Sequence, residues 1–175
     1  MLRSSARLFA VLAGAALGAA ALAGCASTVS LQPAARANDP QCAEVTAHLP
    51  QNIDGLDRRW TDAQATGAWG DPTAVILTCG LEPSAASPLP CQTVAGVDWL
   101  IDDTEAPNYR FTSFGRSPAV QVYVDYDRAS SFEVLRSLSR LVAKLPTDGK
   151  QCTAAPGTDD TGAGEPGTES GTESG

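Results

Sequence analysis

The chain is poor in groups that do chemistry. Of its 175 residues only His48 is a histidine. No Cys-x-x-Cys pair occurs, so a zinc site lacks its usual donors. There is no Gly-x-Ser-x-Gly elbow, no Ser-x-x-Lys pair and no glycine-rich phosphate loop, so no local motif marks a serine hydrolase or a nucleotide site. Basic residues are also scarce, 12 against 20 acidic for a net charge of −8. That balance argues against nucleic acid and against an anionic membrane surface as partners. The one long apolar run, Leu8 to Ala23, falls short of the roughly 20 residues a spanning helix needs.

What is present begins at the N-terminus. Arg3 and Arg7 precede that apolar run, and Leu22-Ala23-Gly24-Cys25 follows. This is the layout of an export signal, and the tetrapeptide resembles the bacterial lipobox. The resemblance implies a lipid on the Cys25 thiol and cleavage before it, with Cys25 as first residue. Ala26 and Ser27 carry no Asp-type retention signal. The expected address is the outer face of the cytoplasmic membrane, with the membrane contacted through the lipid on Cys25. An ordinary secretory signal, cut after Ala21 or Ala23, is the alternative.

Removing residues 1–24 takes two Arg and no acid, so 10 basic and 20 acidic residues remain, a net charge of −10. The remaining 151 residues suffice for one domain with tails. Five Cys leave an odd thiol in an exported chain, and the lipobox absorbs it. Cys42, Cys79, Cys91 and Cys152 then make two disulfides, with three connectivities open. Cys79–Cys91, closing a Pro-rich loop between neighbouring strands, and Cys42–Cys152, tying the domain ends, are the expected pairs.

Residues 25–38 read as a lipid-anchored tether and 39–152 as the domain. Residues 153–175, with Gly-Thr-Glu-Ser repeated at 167–170 and 171–174, read as an acidic disordered tail. Asp39-Pro40 is an N-cap with Pro at the first helical position. Cys42, Val45 and Leu49 share a face, and Pro50 ends that helix. Thr73 to Cys79 suits a buried strand. Val97, Trp99 and Ile101 alternate with Asp98 and Leu100. Tyr109, Phe111 and Ser113 alternate less cleanly, and Val120 to Tyr126 alternates best. Ser130 with Glu133 forms a capping box for a second helix, whose face carries Phe132, Leu135, Leu138, Val142 and Leu145 before Pro146. The expected fold is α+β and disulfide-stapled. One mainly antiparallel sheet of about four to five strands has an N-terminal and a C-terminal helix on one face.

The candidate functional residues are few. His48 sits at a helix end with no local nucleophile or carboxylate partner. Asp102-Asp103 point to opposite sides of a strand. Asp125 and Asp127 share a face and, with further oxygens, have the chemistry for a hard cation. Trp69 and Arg116 are the candidate interaction residues, because hot spots favour Trp, Tyr and Arg. Trp99 reads as core, and Trp60 has no clear setting. No catalytic residue, metal ligand or cofactor is assigned.

Seven motifs occur in order: Pro40-Gln-Cys42, Leu49-Pro50, Ala68-Trp69-Gly70-Asp71-Pro72, Leu77-Thr-Cys79-Gly80, Gly96-Val97-Asp98-Trp99, Phe114-Gly115-Arg116 and Val122-Tyr123-Val124. Together they resemble domain-of-unknown-function family 3515, small actinobacterial envelope proteins, over roughly 39–152. Thr78 stands where that pattern often has Arg before the Cys. The resemblance implies an envelope location and adds no reaction or cofactor. The functional expectation is a non-enzymatic binding or accessory module with an envelope protein as partner. A small-ligand or metal binder, or an envelope enzyme using carboxylates, are the alternatives.

Overall fold

The structure, a computed structural model, describes residues 28–153. The signal segment, Cys25 and the tail beyond residue 153 lie outside the described residues. Helix α1 (Pro40–Ala47) starts where the Asp-Pro pair predicts, with the Asp39 carboxylate accepting from the Gln41 amide at 3.0 Å. Eight strands follow: β1 (Asn52–Ile53), β2 (Leu56–Arg59), β3 (Thr66–Trp69), β4 (Val75–Leu81), β5 (Cys91–Val94), β6 (Val97–Glu105), β7 (Asn108–Phe114) and β8 (Ala119–Asp125). Helix α2 (Ser131–Val142) closes the order, capped by the Ser130 hydroxyl.

The strands form one sheet in the order β1-β2-β3-β4-β8-β7-β6-β5, each neighbouring pair antiparallel. The expected sheet of four to five strands, framed by an N-terminal and a C-terminal helix, is corrected to this eight-stranded antiparallel sheet with two short helices. The additional strands β1, β2, β3 and β5 have four residues or fewer. Such lengths are too short to show a period of two. β8 does not simply extend a meander. It inserts between β4 and β7, joining the two halves of the sheet.

Register defines the buried face. Leu77, Val122, Phe111 and Ile101 lie in one row across four strands, and Val75, Val124 and Tyr109 in the next. Trp69 and Trp99 share this face and are fully buried. Each satisfies its indole N–H, Trp69 on the Pro50 carbonyl at 2.9 Å and Trp99 on the Ser139 hydroxyl of α2 at 3.2 Å. Leu135, Leu138 and Val142 of α2 are buried as their spacing predicts, whereas Phe132 is exposed.

The disulfides are Cys42–Cys79 and Cys91–Cys152, each with Cα atoms 5.5 Å apart. The expected Cys79–Cys91 and Cys42–Cys152 pairing is corrected. β4 and β5 are not neighbours, because β8, β7 and β6 separate them. Four strand spacings amount to about 19 Å, beyond the reach of one bridge. Cys79 also faces the core with Val120, while Cys91 pairs with Leu100 on the opposite face. Cys42, on the buried side of α1, meets Cys79 instead.

The segment read as a tether is docked from Val29 onward. Val29 makes a parallel bridge to Thr61, and its amide donates to the Trp60 carbonyl at 2.8 Å. The Asp62 carboxylate accepts from the Ser30 hydroxyl and the Leu31 amide, both at 2.8 Å. Further on, the Arg36 amide donates to the Gly80 carbonyl at 2.9 Å.

Candidate binding groove

The sequence-predicted interaction residues are structural. Trp69 is core, fully buried, and offers a partner no surface. Arg116 donates to the carbonyls of Ala143 and Leu145, both at 3.0 Å, and of Gly96 at 3.3 Å. It closes the C-terminal end of α2, where orphan carbonyls need donors. A polar cleft of about 350 Å³ beside it is lined by Thr93, Asp98, Arg116 and Lys150. Its charged groups are already committed. Asp98 accepts from the Thr93 hydroxyl and the Cys152 amide, and Lys150 pairs with Asp148.

The carboxylate candidates do not converge. Asp102 accepts from the Thr104 hydroxyl at 2.6 Å and the Thr104 amide at 3.1 Å. Those bonds, the hydroxyl first, hold its pKa below the usual value. β8 ends at Asp125, and the chain turns there, so Asp127 leaves the strand instead of sharing its face. Among the described residues no three His, Cys, Asp or Glu side chains are grouped as metal ligands. His48 is exposed, with Nδ1 2.9 Å from the Glu44 carbonyl and 3.4 Å from the Glu44 carboxylate.

A different feature stands out where α2 begins. Gln92 and Val94 of β5, Ile101 of β6, and Tyr109 and Phe111 of β7 form the floor of an apolar groove. Tyr126, after β8, and Ser131, Phe132 and Leu135 of α2 form its wall, and the space is about 320 Å³. Tyr109 is the centre of an aromatic cluster, with ring centroids 6.2 Å from Phe111 and 5.6 Å from Tyr126. Tyr126 is 60% exposed and Phe132 58%. Two large exposed aromatic side chains on one groove leave apolar surface in water that a partner could cover. The Ser131 hydroxyl lies in this wall, buried and without a hydrogen-bond partner. Asp125 and Asp127 flank Tyr126, and Asp103 follows Ile101 near the end of β6. Asp125, however, alternates with Val124 to the opposite face, and the side chains lining the groove are all uncharged. Of the nearby cations, Arg110 is held by Glu105 at 2.9 Å, and Arg128 reaches the Pro72 carbonyl.

One side of the groove is the free edge of the sheet. Among the described residues β5 pairs only with β6. The Ile101 amide donates to the Pro90 carbonyl at 2.8 Å, which sets the phase of the β5–β6 ladder. Bonded pairs alternate, so Gln92 with Trp99 and Val94 with Val97 are bonded. The N–H and C=O of Cys91 and Thr93 then point outward, away from β6. Alternation misses this site, because its residues come from five separate segments. Phe132 and Tyr126 were the usable signal, two aromatics close together where a helix starts.

A small disulfide-stapled antiparallel domain with an unfilled aromatic groove beside a bare sheet edge is the class that fold and site define. The chain belongs to the protein of unknown function family DUF3515, whose model matches residues 4–149. That match starts well upstream of the motif-bearing stretch. No curated protein and no solved structure matches the chain.

Proposed function

We propose that the chain is exported, lipid-anchored at Cys25 on the outer face of the cytoplasmic membrane, and serves there as a non-enzymatic binding module. Its site is the groove between β5 and α2. The occupant is an extended, apolar and basic segment of an envelope protein that adds to β5 as a further strand. The single observation that carries this reading is the juxtaposition of outward backbone groups at Cys91 and Thr93 with an unfilled aromatic groove. Strand addition draws affinity from the backbone and specificity from alternate side chains entering a pocket. The chain's net charge of −8 adds a preference for Lys or Arg beside the buried residue. The two disulfides support an oxidising compartment.

The test is selection of random octapeptides displayed on phage against the purified full chain. Enriched peptides carry an apolar residue next to Lys or Arg, and they shift the Cys91 and Thr93 amide resonances. Thr93→Pro removes an outward N–H that the native ladder does not use, so the sheet tolerates it and peptide binding is lost. Phe132→Ser weakens binding roughly 30-fold, the scale of an interface hot spot. No enrichment, or binding indifferent to both substitutions, refutes the proposal.

A further inference from the structure

Trp60 is the most exposed large apolar side chain among the described residues, at 78%, while the other two tryptophans are fully buried. We propose that Trp60 is a membrane contact, its indole seated in the headgroup layer of a zwitterionic phospholipid bilayer. The inference rests on the lipid-anchor reading of Cys25.

The argument is one of chain length. The Trp60 carbonyl accepts from the Val29 amide at 2.8 Å, and the Asp62 amide donates to the Val29 carbonyl at 3.2 Å. With the Asp62 carboxylate bonded to Ser30 and Leu31, these contacts fasten residues 29–31 beside Trp60. Four Cα steps separate Val29 from Cys25. Fully extended they cover at most about 14 Å. A lipid on Cys25 therefore brings the bilayer surface to within that distance of Val29, and Trp60 is the apolar group waiting there.

An indole, apolar in body with one N–H, suits the interface between headgroups and acyl chains. Charge selects the lipid. Arg58 and Arg59 precede Trp60, but the Arg58 guanidinium is on the Leu49 carbonyl and Arg59 is on the Gly70 carbonyl and Asp71. Exposed Asp57, Asp62 and Asp71 surround them. This surface suits neutral headgroups and is repelled by anionic ones. The acyl chains supply the binding strength, and Trp60 supplies orientation.

The burial of Trp69 and Trp99 leaves Trp60 as the fluorophore that lipid can reach. The experiment uses the full chain from a lipidating bacterial host, reconstituted into phosphatidylcholine vesicles with and without bromine on the upper acyl chain. Mass spectrometry of the N-terminal peptide reads the lipid independently. The expected result is diacylglycerol on Cys25, a blue shift, and bromine quenching of the emission component that Trp60→Phe removes. A ten-residue Gly/Ser insertion between Ser27 and Thr28 should abolish the quenching and leave the lipid in place. A lipidated chain whose Trp60 stays unquenched and open to aqueous acrylamide overturns the seating while the anchor reading stands. A chain without lipid on Cys25 overturns both.

Discussion

Replacing the cysteines in pairs by alanine should separate two contributions that a disulfide makes. The Cys42–Cys79 bridge spans a separation of 37 residues and Cys91–Cys152 one of 61. Loop-closure entropy of the unfolded chain alone assigns them about 3.8 and about 4.3 kcal/mol, with the longer loop ahead. The folded state reverses that order. Cys42 and Cys79 are fully buried between α1 and β4, so Ala at both also leaves a void, adding about 2 kcal/mol for a total near 6. Cys91 and Cys152 are half-buried. Cys152 ends a segment held by the Asp148 amide on the Gly115 carbonyl and the Cys152 amide on Asp98. Once cut, that segment frays while the sheet persists, and the entropy it regains in the folded state lowers the loss to about 2–3 kcal/mol. Urea unfolding of the full chain at pH 7, followed by far-UV circular dichroism, measures both. The C42A/C79A form should unfold at the lower urea concentration, with little change in slope for C91A/C152A. If C91A/C152A is the less stable of the two, the packing argument is wrong and loop length alone governs.

Two further outcomes are expected. Arg116→Ala should destabilise the fold by about 2–3 kcal/mol through loss of its donors to three carbonyls, and Arg116→Lys should fail to restore it because an ammonium cannot span them; thermal melts check both, and a neutral Arg116→Ala would return this residue to the surface. The Asp62 carboxyl is held below its usual value, first by the Leu31 amide and then by the Ser30 hydroxyl. A depressed folded pKa means that the docking of residues 29–31 is at full strength above the ordinary Asp value near 3.9 and is lost as pH falls through the lower folded value. The protection factor of the Leu31 amide, its exchange relative to the intrinsic rate at the same pH, should therefore fall in acid below that range, and Asp62→Asn should already show low protection at neutral pH.

The readable parts of this fold were those with enough residues to show a period. β4, β6, β7 and β8 have seven to nine residues each, and their alternation is visible in Leu77, Trp99, Phe111 and Val122. β3 offers only Thr-Gly-Ala-Trp, buried throughout, so alternation has nothing to act on. One hairpin does carry a local mark: Asp54-Gly55 joins β1 to β2 with both residues at positive φ, 49° and 79°. That pair is the strongest short-range hairpin signal. The Ala95-Gly96 turn between β5 and β6 is the opposite case, since Ala95 takes φ 48° without the side chain that favours it. Cysteine pairing was illegible because it follows from strand order, and the insertion of β8 is a long-range event with no local trace. The groove was hidden for a related reason. Phe132 satisfies the helical spacing of a core residue, yet it sits in the first turn of α2 and stays exposed.

The position of β8 also sets a schedule. β4 has no partner on one side until residues 119–125 exist, and β7 likewise waits for them. A chain made N-terminus first therefore carries two bare strand edges until most of its length is available. Open edges of that kind invite pairing with the wrong neighbour. Joining the halves requires pairing Val75 with Val124 over a non-local separation, a slow kind of search. The last strand is thus a keystone, and keeping the chain extended until residue 125 has been made would protect it from assembling wrongly.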